Sequence, residues 1–179
     1  MTQMRRYILV TLIFLSAALS AAGRDSLYHD ISFAASAGYN LPSHGFYRGH
    51  NPSGRPIPAN TSYHLKYAFG YQPGTRPGSL YPDVSQGLGI AALTFFEPSI
   101  MGTPVQAYIF QNVRLLDISP EIGLNYAWEL GGSFGWHRND IVASRANIYV
   151  NVGLMFSWDM SQLWTLTLGP EFSHYSNGD

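Results

Sequence analysis

The sequence predicts an all-β protein, an antiparallel barrel of long strands with an apolar outer face and a packed polar interior. Two observations carry that expectation, and a third limits what can hold the fold together. Apolar and polar side chains alternate along extended runs, the period of a strand whose two faces differ. Charged residues make up only 12% of the chain, about half the usual share in a water-soluble domain, while aromatics reach 15%. Cysteine is absent, so neither disulfides nor thiolate metal sites can hold the fold.

In chain order, "MTQMRRYILVTLIFLSAALSAAG" comes first. Arg5 and Arg6 precede an apolar run from Tyr7 to about Leu19 and a small-residue stretch ending at Gly23. This three-part pattern predicts a signal peptide over residues 1–22 and a barrel domain over 23–179. The apolar run is short for a spanning helix, and no other stretch resembles one. Removing the leader takes two arginines and leaves eight basic against eleven acidic side chains. That balance offers no basic patch for nucleic acid.

Strands are expected at 28–39, 61–72, 86–96, 105–116, 121–137, 147–158 and 163–176. The fifth is the clearest. Its even positions from Ile122 through Leu124, Tyr126, Trp128, Leu130 and Phe134 to Trp136 are apolar or glycine, and its odd positions are small or polar. The sixth repeats the pattern with Ile148, Val150, Val152, Leu154, Phe156 and Trp158 on one face. In the second, Tyr63, Leu65, Tyr67 and Phe69 oppose Ser62, His64, Lys66 and Ala68. The fourth alternates poorly, because Tyr108 and Phe110 compete with Val105, Ala107 and Ile109. His64, Lys66, Glu121 and Glu129 are expected to fill the interior.

The connections 41–60, 97–104 and 138–146 then share one end, and the short 117–120 and 159–162 the other. Long loops outside and short turns inside are the habit of outer-membrane barrels. Connection 73–85 is too long for that scheme. Trp158 and Trp164 flank a tight turn, as an interfacial aromatic girdle would. Single-chain bacterial barrels have even strand numbers, and an open sheet edge in lipid leaves backbone groups unpaired. The expected fold is therefore an antiparallel eight-stranded outer-membrane β-barrel with seven strands present and the last, after Asp179, missing from this fragment.

Parity carried through the seventh strand puts Trp164, Leu166, Leu168, Phe172, His174 and Ser176 on the apolar face. An imidazole and a hydroxyl two residues apart are about 6.8 Å apart along the backbone, close enough for the side chains to approach. A histidine that takes the serine proton would make Ser176 a nucleophile at a membrane-facing surface. The bland alternative is that both side chains have reached the headgroup region, where polar groups are ordinary. His44 and His50 lie in a long loop with Arg48 and Arg55 and show no ligand spacing, so a solvated loop is the expectation there and no metal is invoked. Those arginines could also meet lipid phosphates.

The tail "LTLGPEFSHYSNGD", with "SRANIYVNVGLMFSW" before it, resembles the lipid A 3-O-deacylase family of the PagL type, also called acyloxyacyl hydrolases. The specific match covers His174, Ser176 and Asn177; a looser one reaches back to about Tyr126. The resemblance implies an eight-stranded outer-membrane barrel that removes an ester-linked acyl chain from lipid A. His174 would be the base, Ser176 the nucleophile, and Asn177 with Gly178 the oxyanion and substrate side. It implies no cofactor and no metal; the partners would be lipopolysaccharide and other outer-membrane lipids. The family's orienting glutamate would fall beyond Asp179, and neither Glu171 nor Asp179 has the parity or place to replace it. Other readings are an outer-membrane phospholipase, a non-catalytic small barrel serving as an adhesin or structural protein, and a soluble lipocalin-like carrier.

Overall fold

The computed structural model describes residues 27–42 and 44–176. The expected signal peptide, Asn177 and Gly178 lie outside the described residues. One antiparallel sheet is built from β1 Leu27–Tyr39, β2 Ala59–Tyr71, β3 Val84–Thr94, β4 Gly102–Ser119, β5 Ile122–Trp136, β6 Ala146–Asp159, β7 Thr165–Leu168 and β8 Glu171–Ser176. Each strand from β1 to β7 pairs with its neighbour in sequence, and the sheet curls into a half-barrel. The fold is all-β and barrel-like.

β7 and β8 are two pieces of one strand. Both pair with β6 in a single unbroken register, Phe156 opposite Leu168 and Gly153 opposite Glu171. The break falls at Pro170, which has no N–H for the ladder. Its carbonyl still accepts from Leu154 N at 3.1 Å. The edges of the sheet are β1 and this split strand, and no ladder joins them among the described residues.

Alternation sorts the side chains as the strand period demands. On the convex face Tyr63, Leu65, Leu88, Ile90, Leu130, Leu154 and Phe172 are all exposed. That inverts the usual arrangement of a water-soluble protein and is compatible with lipid surroundings. Trp158 and Trp164 are exposed at one end, 51% and 69% accessible, on either side of the β6–β7 turn.

The concave face is polar and bonded. Lys66 Nζ meets Glu129 Oε1 at 2.5 Å, and Tyr149 donates to Glu129 Oε2 at 2.5 Å. Lys66 also stands 5.4 Å above the Phe110 ring. Satisfying both carboxylate oxygens is what makes so deep a charge tolerable, since Glu129 is only 2% exposed.

Two expectations need correction, the outward Trp136 and the inward Glu121, and two open points are resolved. In β4 the competition resolves cleanly, with Gln106, Tyr108 and Phe110 buried and Val105 and Ile109 exposed. The strand keeps strict alternation from Gly102 to Phe110; the sequence looked ambiguous because the inward row itself carries aromatics, Tyr108 and Phe110, packed in a buried interior cluster with Tyr149. Trp136 does not continue the outer face of β5; it is 3% exposed, because Gly135 at φ 92° turns the backbone and swings the indole inward. Its Nε1 donates to Ser133 Oγ at 2.8 Å. Glu121 is exposed in the β4–β5 turn rather than inside. The long β2–β3 connection contains a short helix, Arg76–Leu80, with Thr75 capping Gly78 N at 3.1 Å.

The three long connections meet at one end. Phe46 and Ile57 from the first, Phe95, Ile100 and Met101 from the second and Val142 from the third pack with Leu93 and Trp136 into one buried cluster. Each such side chain stabilises by about 2 kcal/mol. These loops are a folded cap, not free excursions.

Removing Glu129 leaves the Lys66 ammonium unpaired in the interior. Glu129→Ala is expected to cost about 3 kcal/mol in denaturant unfolding from detergent micelles, and markedly less in a Lys66→Met background.

Candidate functional site

β8 is six residues long, and its orientation follows from its partners on β6. His174 lies opposite Val150 and Ser176 opposite Ile148, both exposed apolar residues of the convex face. Tyr175 lies opposite Tyr149, which is 1% exposed on the concave face. Directly opposed residues in an antiparallel pair share a face, so His174 and Ser176 point outward and Tyr175 inward. His174 is exposed and Ser176 half-buried, with Phe172 next along the same face. Both sit at the end of the sheet that carries the loop cap, since Tyr175 between them packs against that cluster.

Tyr175 fastens this end of the strand, a role its sequence context does not advertise. Its ring stacks on Tyr149 at 5.4 Å between centroids and meets Trp136 edge-on at 5.0 Å. Gln106 Nε2 donates to its hydroxyl at 2.7 Å. One turn of the pleat earlier, Ser173 Oγ donates to Asn151 Oδ1 at 3.2 Å. The signal was available: parity places Tyr175 on the polar face, where a large aromatic must pack against something.

The outward pair is close in register but unjoined. Among the described residues no hydrogen bond links His174 with Ser176. A nucleophile and base often stand apart without substrate and close in its presence. Glu171 faces the concave side, opposite Gly153, so it shares no face with His174. Asn177 and Gly178 lie outside the described residues.

A second serine–histidine pair occurs inside, with the mirror sequence Ser62-Tyr63-His64 against His174-Tyr175-Ser176. Here the hydrogen bonds are complete: Ser62 Oγ to His64 Nε2 at 2.8 Å, His64 Nδ1 to Tyr108 Oη at 2.7 Å, and Ser36 Oγ to Ser62 Oγ at 2.6 Å. Both Ser62 and His64 are 6% exposed, and the ring of Tyr108 closes over them. A bulky ester has no approach to Ser62. This chain of hydrogen bonds satisfies buried polar groups and ties β1, β2 and β4 together.

Of the two loop histidines, His44 has a local duty. His44 Nδ1 accepts from Phe46 N at 3.2 Å at the start of a 3₁₀ turn, Gly45–Arg48, and Arg48 Nε donates to Pro42 O at 3.0 Å. Among the described residues no three His, Asp or Glu side chains gather as a metal site.

Comparison of the chain with protein-family models, with curated proteins and with solved structures finds no match.

Replacing Tyr175 separates its two attachments. Tyr175→Phe keeps the ring contacts, loses the Gln106 bond and is expected to cost about 1 kcal/mol. Tyr175→Ala loses both and is expected to cost about 3 kcal/mol, with protease cleavage appearing within β8 in limited digestion.

Proposed function

We propose that the protein is an outer-membrane esterase that removes an ester-linked acyl chain from lipid A, with Ser176 as nucleophile and His174 as base. The observation that carries this reading is the exposed His174 beside Ser176 on an otherwise apolar face, at the end of the sheet crowned by long loops. Polar side chains on such a face call for an explanation, and an ester-bearing lipid would meet them there. The short tail motif described above points to the same chemistry.

In the proposed reaction Ser176 Oγ attacks the ester carbonyl carbon while its proton passes to His174. The tetrahedral intermediate collapses by breaking the bond to the sugar oxygen, which takes the proton from His174 and leaves as an alcohol. Water then attacks the acyl-serine, losing a proton to His174; the bond to Ser176 Oγ breaks, the serine takes that proton back, and the fatty acid departs. The pair has first to close to hydrogen-bonding distance, a short movement for two side chains on the same face. No cofactor is required for these steps.

A non-catalytic barrel is the second reading. It is favoured by the missing hydrogen bond between His174 and Ser176 in a structure whose interior serine–histidine pair is fully bonded.

Mass spectrometry of lipid A from bacteria producing the protein decides between them. Loss of one hydroxyacyl chain is expected with the native chain and is abolished by Ser176→Ala; His174→Ala lowers it at least about a hundredfold. Ser62→Ala leaves it intact. Unchanged lipid A with altered phospholipid turnover would favour a phospholipase, and no lipid change at all the non-catalytic barrel.

A further inference from the structure

Charge among the described residues is sorted by end of the sheet. The loop end carries Arg48 and Arg55 in the β1–β2 connection and Arg138 and Arg145 in the β5–β6 connection, against Glu97 and Asp140, a net +2. The turn end carries Arg76 and Arg114 against Asp30, Asp83, Asp117, Glu121 and Asp159, a net −3. Pairing is sorted in the same way. Arg114 reaches Asp117 at 2.6 Å and Asp159 at 3.0 Å, whereas none of the four loop-end arginines joins an ion pair among the described residues. All four are exposed.

These arginines stand on a packed base. The connections that bear them contribute Phe46, Ile57 and Val142 to the buried cluster, so both loops are held against each other. Arg145 is fixed at its backbone, where its carbonyl accepts from Gly135 N at 3.0 Å and Trp136 N at 3.4 Å. It lies three residues before Ile148, the register partner of Ser176. At strand rise that is about 10 Å along the chain, on the side of Ser176 away from the sheet. A guanidinium presents several donors in a planar fork that matches phosphate oxygens.

We infer that Arg138 and Arg145, with Arg48 and Arg55 across the cap, form a rim that binds the phosphate groups of the lipid whose ester is presented to Ser176. This rests on the esterase reading and adds the headgroup to it. The rim holds the anionic sugar outward of the sheet while the acyl chains lie along the apolar face. Selectivity for phosphorylated lipid follows, read in binding rather than in the chemical step.

The test uses the full chain in detergent micelles, with Ser176→Ala to prevent turnover. Binding of bisphosphorylated lipid A is expected to be about tenfold tighter than binding of the same lipid after dephosphorylation. Arg138→Gln with Arg145→Gln is expected to shrink that preference below about twofold, while Arg76→Gln at the opposite end leaves it intact. Circular dichroism checks that each variant is folded. Equal affinity for the two lipids, or a preference that survives the double substitution, overturns the rim. So does full displacement by inorganic phosphate without discrimination between lipids. Hydrolysis by the native chain is scored separately. Intact preference with neither lipid cleaved would sink the esterase reading and support the rim.

Discussion

The two-residue period of the strand is the constraint on which everything else in this molecule depends. A ladder that fixes one residue's face fixes every other along the same strand, and a slip of one position would exchange interior and exterior. Here β6 acts as the template. Its inward Tyr149 and Asn151 have bonded partners, so its outward row cannot rotate, and β8 inherits that orientation through Tyr175 and Ser173. The outward direction of His174 and Ser176 is thus a consequence of what their neighbours do on the other side of the sheet.

The interior is specified by polar contacts more than by apolar bulk. Lys66, Glu129 and Tyr149 close one group, and Ser36, Ser62, His64 and Tyr108 another. Each spans several strands, so the curvature that brings the strands together is also what satisfies the groups. A sheet with this composition gains little from flattening, because flattening would strand a carboxylate and an ammonium apart. The same interior explains why two serine–histidine pairs of equal spacing have different prospects. One is consumed by its surroundings; the other stands on an open face.

At the loop end the rule changes from alternation to ordinary globular packing. Gly135 releases Trp136 from the strand pattern, and the indole becomes part of a core shared by three connections. That core joins the loops to the end of β8 through Tyr175. It links the position of the outward pair to the packing of the loops and seats the exposed arginines above a buried core.

Strand positions, the two-faced sheet and the outward direction of His174 and Ser176 were all legible in the residues, because a period of two requires no knowledge of partners. β5 and β6 read almost without error for that reason. Where both rows are apolar, as at Val105–Phe110 of β4, the period does not say which face is inside, and where a glycine at positive φ ends it, as before Trp136, parity no longer transmits along the chain. Those side chains were placed by contacts from distant segments. Parity alone also put the reversed pairs Ser62-Tyr63-His64 and His174-Tyr175-Ser176 on opposite faces; what only the tertiary structure decided is that the inner pair is fully hydrogen-bonded to Ser36 and Tyr108. Local sequence determined which way each side chain points; the surrounding strands and loops determined what it meets there.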